Sequence, residues 1–145
     1  MRKTERVAPD HVGWLLHRAS AAWKRRFAAQ MVAAGYPWYA EARGALLRHL
    51  GPQPVSQADI AARSGLTKQA VQQHLDALAA DGIVARIPDP DDSRRRRVRL
   101  TPAGLAALEA GDRIKARIEA QDAARLGRAR YAALRRALSV LADDP

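Results

Sequence analysis

From Asp10 to about Ala34, apolar residues recur at Val12, Leu16, Ala19, Trp23, Phe27 and Met31. That spacing predicts one long amphipathic helix, with Lys24, Arg25 and Arg26 on its wetter side. Gly35-Tyr36-Pro37 stops it. A second helix is expected over roughly Tyr39 to Leu50, carried by Ala42, Leu46, Leu47 and Leu50 and ended by Gly51-Pro52. Near the other end of the chain, Leu105, Leu108, Ile114, Ile118 and Leu126 predict another long helix. Tyr131, Leu134, Leu138 and Leu141 predict a last one, and the two part near Gly127. These flanking helices carry more apolar surface than a small monomer covers, which points to an intermolecular bundle.

Between the flanks the pattern changes. Ser56 can cap a short helix over Gln57 to Arg63, with Asp59 at its third position as in a capping box. Ser64-Gly65-Leu66 breaks that helix, and Gly65 can take the left-handed conformation that reverses the chain tightly. Thr67 is the natural N-cap of the next helix. Its apolar positions Val71, Leu75 and Leu78 fall on one side and leave Lys68, Gln69, Gln72, Gln73 and Asp76 outside. After Asp81-Gly82, the β-branched run Ile83 to Ile87 and the alternating Val98-Arg99-Leu100 predict a two-stranded hairpin. The loop between them, Pro88 to Arg97, is proline-rich and charged, with aspartates in its first half and four consecutive arginines in its second. Thr101-Pro102 starts the next helix. Helix, turn, helix and hairpin in this order form a winged helix, so the fold class expected is mainly α: a winged helix-turn-helix with a two-stranded β-hairpin wing, flanked by N- and C-terminal helices that form a dimerisation bundle.

Composition narrows the partner. The 145-residue chain is one domain's worth by length, and 25 Lys plus Arg against 15 Asp plus Glu give a net charge of +10. Such a balance favours a polyanion, and DNA, RNA and acidic membranes all satisfy it. The absence of cysteine removes disulfides, thiolate metal sites and thiol redox sensing together. The basic start Met1 to Arg6 is followed by Asp10, His11, His17 and Arg18 rather than an apolar core, so a cytoplasmic protein with no membrane partner is expected.

The segment Asp89-Pro90-Asp91-Asp92-Ser93-Arg94-Arg95-Arg96-Arg97-Val98-Arg99-Leu100-Thr101-Pro102-Ala103-Gly104 resembles the wing signature of the MarR family of bacterial transcriptional regulators. Thr67 to Val84 is similar to that family's recognition helix and following strand, and the resemblance runs over essentially the whole chain. It implies an obligate homodimer with a winged helix on each arm. It also implies that Asp92 and Arg94 are the family's Asp-x-Arg wing pair, with Asp92 orienting the wing and an arginine at the tip entering a minor groove. Ser93 stands where many members carry a further arginine, and Arg97 where a leucine is usual. His74 replaces an apolar residue on the inner side of the recognition helix. The organisation expected is a basic flexible arm at 1–9, an N-terminal dimerisation helix at 10–37, a winged helix at 38–101 and C-terminal dimerisation helices at 102–145.

The DNA-binding residues expected are Thr67, Lys68, Gln69, Gln72 and Gln73 on the recognition helix and Arg94, Arg95, Arg96, Arg97 and Arg99 on the wing. Glutamine pairs bidentately with adenine and lysine reaches guanine or phosphate, while guanidinium groups suit phosphates or a narrow minor groove. Six of the aromatic residues lie between Trp14 and Tyr39. Trp23 and Phe27, one turn apart, suit core or dimer packing. Trp14, His17, Tyr36, Trp38 and Arg43 form a candidate pocket for a small aromatic or anionic effector, as the family resemblance suggests. His11, His17, His49 and His74 share no metal-ligand spacing with a carboxylate, so neither metal nor cofactor is expected. Nucleophile elbow, phosphate loop and zinc-protease motif are all missing, and no enzyme activity is expected. The function expected is a sequence-specific, ligand-responsive repressor that binds a pseudo-palindromic operator in double-stranded DNA as a homodimer; the alternative is a basic architectural protein that coats DNA with little sequence preference.

Overall fold

The computed structural model describes residues 10–143, so the arm expected at 1–9 lies outside the described residues, as do the last two positions. Helix α1 (Val12–Ala33) is opened by His11, whose Nδ1 accepts from the Trp14 amide at 3.1 Å. Two 3₁₀ segments follow, Pro37–Ala40 and Ala42–His49. Then come strand β1 (Val55–Ser56), helices α2 (Gln57–Ser64) and α3 (Lys68–Ala80), strands β2 (Val84–Pro88) and β3 (Arg96–Leu100), and helices α4 (Pro102–Leu126) and α5 (Arg128–Ala142). The sheet is antiparallel, ordered β1-β3-β2.

The caps read from the sequence form as hydrogen bonds. Ser56 Oγ accepts from the Asp59 amide and Thr67 Oγ1 from the Ala70 amide, each at 3.1 Å. Gly65 between them has φ +68°, the left-handed conformation that turns α2 into α3. Val71, Leu75 and Leu78 bury the inner face of α3, and His74 beside them is half-buried.

Four expectations are corrected. The helix expected over Tyr39 to Leu50 is two tight 3₁₀ turns, because Pro37 starts the first and Glu41, in extended conformation at ψ 169°, separates it from the second. The hairpin gains a third strand: Val55 pairs with Val98 and Ser56 with Arg97. β3 begins two residues before Val98, so Arg96 and Arg97 lie in the ladder, opposite Pro88 and Ile87, and not in the loop. Arg26 is half-buried where a wetter position was expected, since its Nη1 lies 2.7 Å from Asp122 of α4.

Two apolar clusters result. The larger joins Trp38, Leu46, Leu47 and Leu50 to Ile60, α3 and the sheet, and holds the winged helix together. The smaller places Met31 of α1 against Ile114 and Ile118 of α4, flanked by Trp23 and Phe27. Tyr36 and Tyr39 pack against both. The buried side of α4 runs through Gly104, Ala107, Ala110 and Gly111 before Ile114, so small residues set how closely it approaches its neighbours, where leucines were expected. α5 buries no residue, and Leu134, Leu138, Val140 and Leu141 are exposed along it.

Candidate nucleic-acid interface

The outer face of α3 presents Lys68, Gln69, Gln72, Gln73 and Asp76, all exposed. Thr67 is also exposed, but its hydroxyl oxygen is occupied as the N-cap acceptor. Gln72 is not a free side chain. Its Oε1 accepts from Gln57 Nε2 of α2 at 2.9 Å, and its Nε2 donates to Asp76 Oδ1 at 3.2 Å. Asp76 Oδ1 in turn receives Arg86 Nη1 of β2 at 2.5 Å. A single chain of hydrogen bonds therefore ties α2, α3 and the first strand of the wing together on the polar side of the reading helix.

The wing is ordered by two aspartates with different tasks. Asp92 Oδ1 accepts from the Arg94 amide at 2.9 Å, which fixes the turn, and Asp92 Oδ2 lies 3.4 Å from Arg95 Nε. Its charge thus reaches Arg95 and the backbone of Arg94, while the Arg94 guanidinium has no ion-pair partner among the described residues. Asp89 is 8% exposed; its Oδ1 accepts from the Asp91 amide and its Oδ2 from Arg97 Nε at 3.0 Å. The backbone hydrogen bond from Asp91, followed by the one from Arg97, holds the Asp89 carboxyl below the usual carboxylate range. Arg97, which also meets Asp91 at 3.6 Å, is spent on the base of the wing. Arg94, Arg95, Arg96 and Arg99 remain exposed. Arg97 therefore differs from its neighbours in the run: its Nε and Nη2 face the carboxylates at the base of the wing, and its side chain is only about one third exposed.

The five residues expected to form an effector pocket do not converge. Trp14 and His17 stack on one another at 5.4 Å near the start of α1. Trp38 is buried in the winged-helix core, edge-on to Tyr36. Arg43 is engaged by Glu41 at 2.9 Å and Asp81 at 2.6 Å. The open space lies elsewhere. A cavity of about 590 Å³ between α1, the 3₁₀ turns and α4 is lined by Trp23, Phe27, Tyr39, Arg48 and Lys115. Phe27 meets Tyr39 edge-on at 5.6 Å, and Lys115 Nζ sits 5.9 Å from the Phe27 ring centre. Burial pushes the Tyr39 phenol above its ordinary value, so at neutral pH it is a hydrogen-bond donor beside two cations. Trp23 and Phe27, expected in packing, thus also wall an open space, which Arg48 and Lys115 reach from elements too far apart in the chain for the sequence pattern to join them. A second groove, about 790 Å³, runs between α1, α4 and α5 along Leu16, Trp23, Tyr131, Leu134 and Leu138.

Among the described residues no group of three or more His, Asp or Glu is placed to hold a metal ion. No described helix is long and apolar enough to cross a membrane.

Residues 42–95 match the model of the MarR family, a span running from the second 3₁₀ turn through α2, α3 and β2 into the wing. No curated protein matches the sequence. Among solved structures, a probable transcriptional regulator from Pseudomonas aeruginosa is 29% identical, with a TM-score of 0.70 over 91% of this chain and 97% of its own. The transcriptional repressor CouR, solved on a 23-mer DNA duplex, is 28% identical, with a TM-score of 0.74 over 92% of this chain and 93% of its own. Wild-type MarR from E. coli in its apo form, at 20% identity, shares the fold, with a TM-score of 0.72 over 92% of this chain and 98% of its own.

Proposed function

We propose that this chain is a winged-helix transcriptional regulator of the MarR family that binds a pseudo-palindromic operator in double-stranded DNA as a homodimer, and not an enzyme. The observation that carries the reading is the presence of two cationic or polar edges on one module: the exposed Lys68-Gln69-Gln72-Gln73 face of α3, and the exposed Arg94 and Arg95 in the turn and Arg96 at the start of β3, on a wing anchored by Asp89 and Asp92. α3 enters a major groove, where Gln69, Gln72 and Gln73 meet base edges and Thr67 and Lys68 meet the flanking backbone. The wing tip reaches the neighbouring minor groove through Arg94, with Arg95, Arg96 and Arg99 on phosphates.

Dimerisation is supported by the unburied α5 and by the groove it forms with α1 and α4, which a second copy would fill with Leu134, Leu138 and their neighbours. Two-fold symmetry then sets half-sites about one helical turn apart, on the order of 10 bp or a small multiple. Control follows from the cavity at Tyr39: a small aromatic anion there would meet Arg48 and Lys115 through its charge and Trp23 and Phe27 through its ring. A ligand that fits the cavity better in one arrangement of arm and head shifts the dimer toward that arrangement and represses or releases the operator accordingly.

Selection of bound fragments from random duplex DNA, read by sequencing, tests this. A regulator enriches a symmetric motif with a specificity ratio on the order of 10³ or more over bulk DNA. Enrichment of no motif would favour an architectural protein that coats DNA.

A further inference from the structure

Gln72 stands in the middle of the α3 outer face with both ends of its amide engaged, to Gln57 on one side and to Asp76 on the other. The order of these partners is not reversible. An ionised carboxylate only accepts, so Gln72 has to turn its NH₂ group to Asp76 and its carbonyl to Gln57, which answers with its own NH₂. Arg86 fixes the other end: its Nη1 grips Asp76 Oδ1, and its Nη2 donates to the Gln72 backbone carbonyl at 3.4 Å. Asp76, held by one arginine of the wing strand, therefore dictates which way round an amide on α3 lies.

A primary amide has two N–H donors and two acceptor lone pairs. With one of each used inside the protein, Gln72 keeps one donor on the Asp76 side and one acceptor on the Gln57 side. Adenine shows the major groove an acceptor, N7, beside a donor, N6, and a T·A pair shows the same two groups from the opposite strand, in reversed order across the groove. We infer that the Gln57–Gln72–Asp76–Arg86 chain is a polarity lock, which makes one base pair in each half-site discriminate A·T from T·A. An amide released from the lock can rotate and satisfy either. Gln57 touches no base in this arrangement and acts through Gln72 as a positioning residue. The inference rests on the DNA-reading function proposed above.

The test is the same selection from random duplex DNA, run with the full unaltered chain, with Gln57→Leu and with Asp76→Asn. Gln57→Leu removes one end of the lock and leaves Asp76 and Arg86 paired; Asp76→Asn replaces a pure acceptor by a group that can present either polarity. In Asp76→Asn the preference for A·T over T·A is expected to fall on the order of tenfold at one base pair per half-site, and in Gln57→Leu, where Asp76 still holds the NH₂ end, to fall by less, with the preferences at the other positions unchanged in both. Base profiles identical to that of the unaltered chain would overturn the lock, and so would a loss spread evenly over all positions. Failure of the unaltered chain to enrich any sequence would overturn the regulator reading, and the lock with it.

Discussion

Asp89 holds Arg97 at 3.0 Å across the base of the wing, and this pairing separates one arginine of the run from its neighbours. The Asp89 carboxyl titrates below the usual range because the Asp91 amide and the Arg97 guanidinium both favour its ionised form. A depressed folded-state value means that the stabilisation is fully present above the unfolded carboxylate value of about 4 and is lost as pH falls through the lower folded one. Thermal melting followed from neutral pH down to about pH 3 should show an acid-side loss that Asp89→Asn reduces, with no difference in pH dependence near neutrality. Equal acid sensitivity in both proteins would remove Asp89 from the wing's foundation.

The same division predicts how the arginines sort in a salt titration. Operator affinity should fall by about 10³ to 10⁵ between 50 and 200 mM salt if six to ten phosphates are neutralised. Arg95→Ala or Arg96→Ala should reduce the salt slope by about 1. Arg94→Ala should cost roughly 1 to 3 kcal/mol in operator affinity, the scale of one well-placed contact. Arg97→Ala should instead lower the melting temperature and leave the slope unchanged, because its charge is spent on Asp89. Equal slope losses at Arg96 and Arg97 would contradict this division.

The groove between α1, α4 and α5 predicts the oligomeric state. Leu138→Arg places a cation in the groove and should convert a dimer to a monomer in sedimentation. Operator affinity should then drop by about 10² to 10⁴, the loss expected when two linked contacts become one. A variant that still sediments as the dimer would move the interface elsewhere.

Gly104 sits in the first turn of α4, where an added methyl group would collide with the Ile83 carbonyl oxygen. That oxygen is backbone, already receiving the Thr101 amide and hydroxyl, and has little freedom to move. Gly104→Ala should destabilise the chain by roughly 1 to 3 kcal/mol, the usual cost of overpacking, as measured by urea unfolding. Unchanged stability would mean that α4 can slide away from the Ile83 backbone.

Trp23 lines the cavity at Tyr39 and supplies its own reporter. Titration with phenolic carboxylates should change tryptophan fluorescence saturably, and Arg48→Ala or Lys115→Ala should weaken the response by about tenfold or more, since each removes a charged partner of the anion. A response retained in full by both variants would place the effector outside this cavity.

What was legible in the sequence was local. Ser56, Thr67 and Thr101 each cap the helix they precede, and Gly65 takes the turn assigned to it, because these interactions span three or four residues. β1 was missed because two residues next to a proline carry no alternation to read, and their partner lies far along the chain at Val98. The pairing of Arg97 with Asp89 was hidden by its neighbours: in a run of four arginines, only the register of β3 tells which one turns inward. The cavity escaped for a related reason. Arg48 and Lys115 come from elements distant in sequence, whereas the clustering of Trp14, His17, Tyr36, Trp38 and Arg43 was closeness along the chain alone.

Tyr39 packs against both apolar clusters, so in the dimer proposed above it stands between the arm and the DNA-reading head. Its ring also walls the cavity. In that dimer a displacement at Tyr39 that turned the winged helix as one body would move the distant α3 farther than Tyr39 itself. Two-fold symmetry would repeat the same rotation in the proposed partner, so the spacing of the two α3 helices would change by the sum of both. A shift at Tyr39 too small to disturb either core would thereby be geared up into a mismatch with a half-site spacing that B-form DNA holds constant.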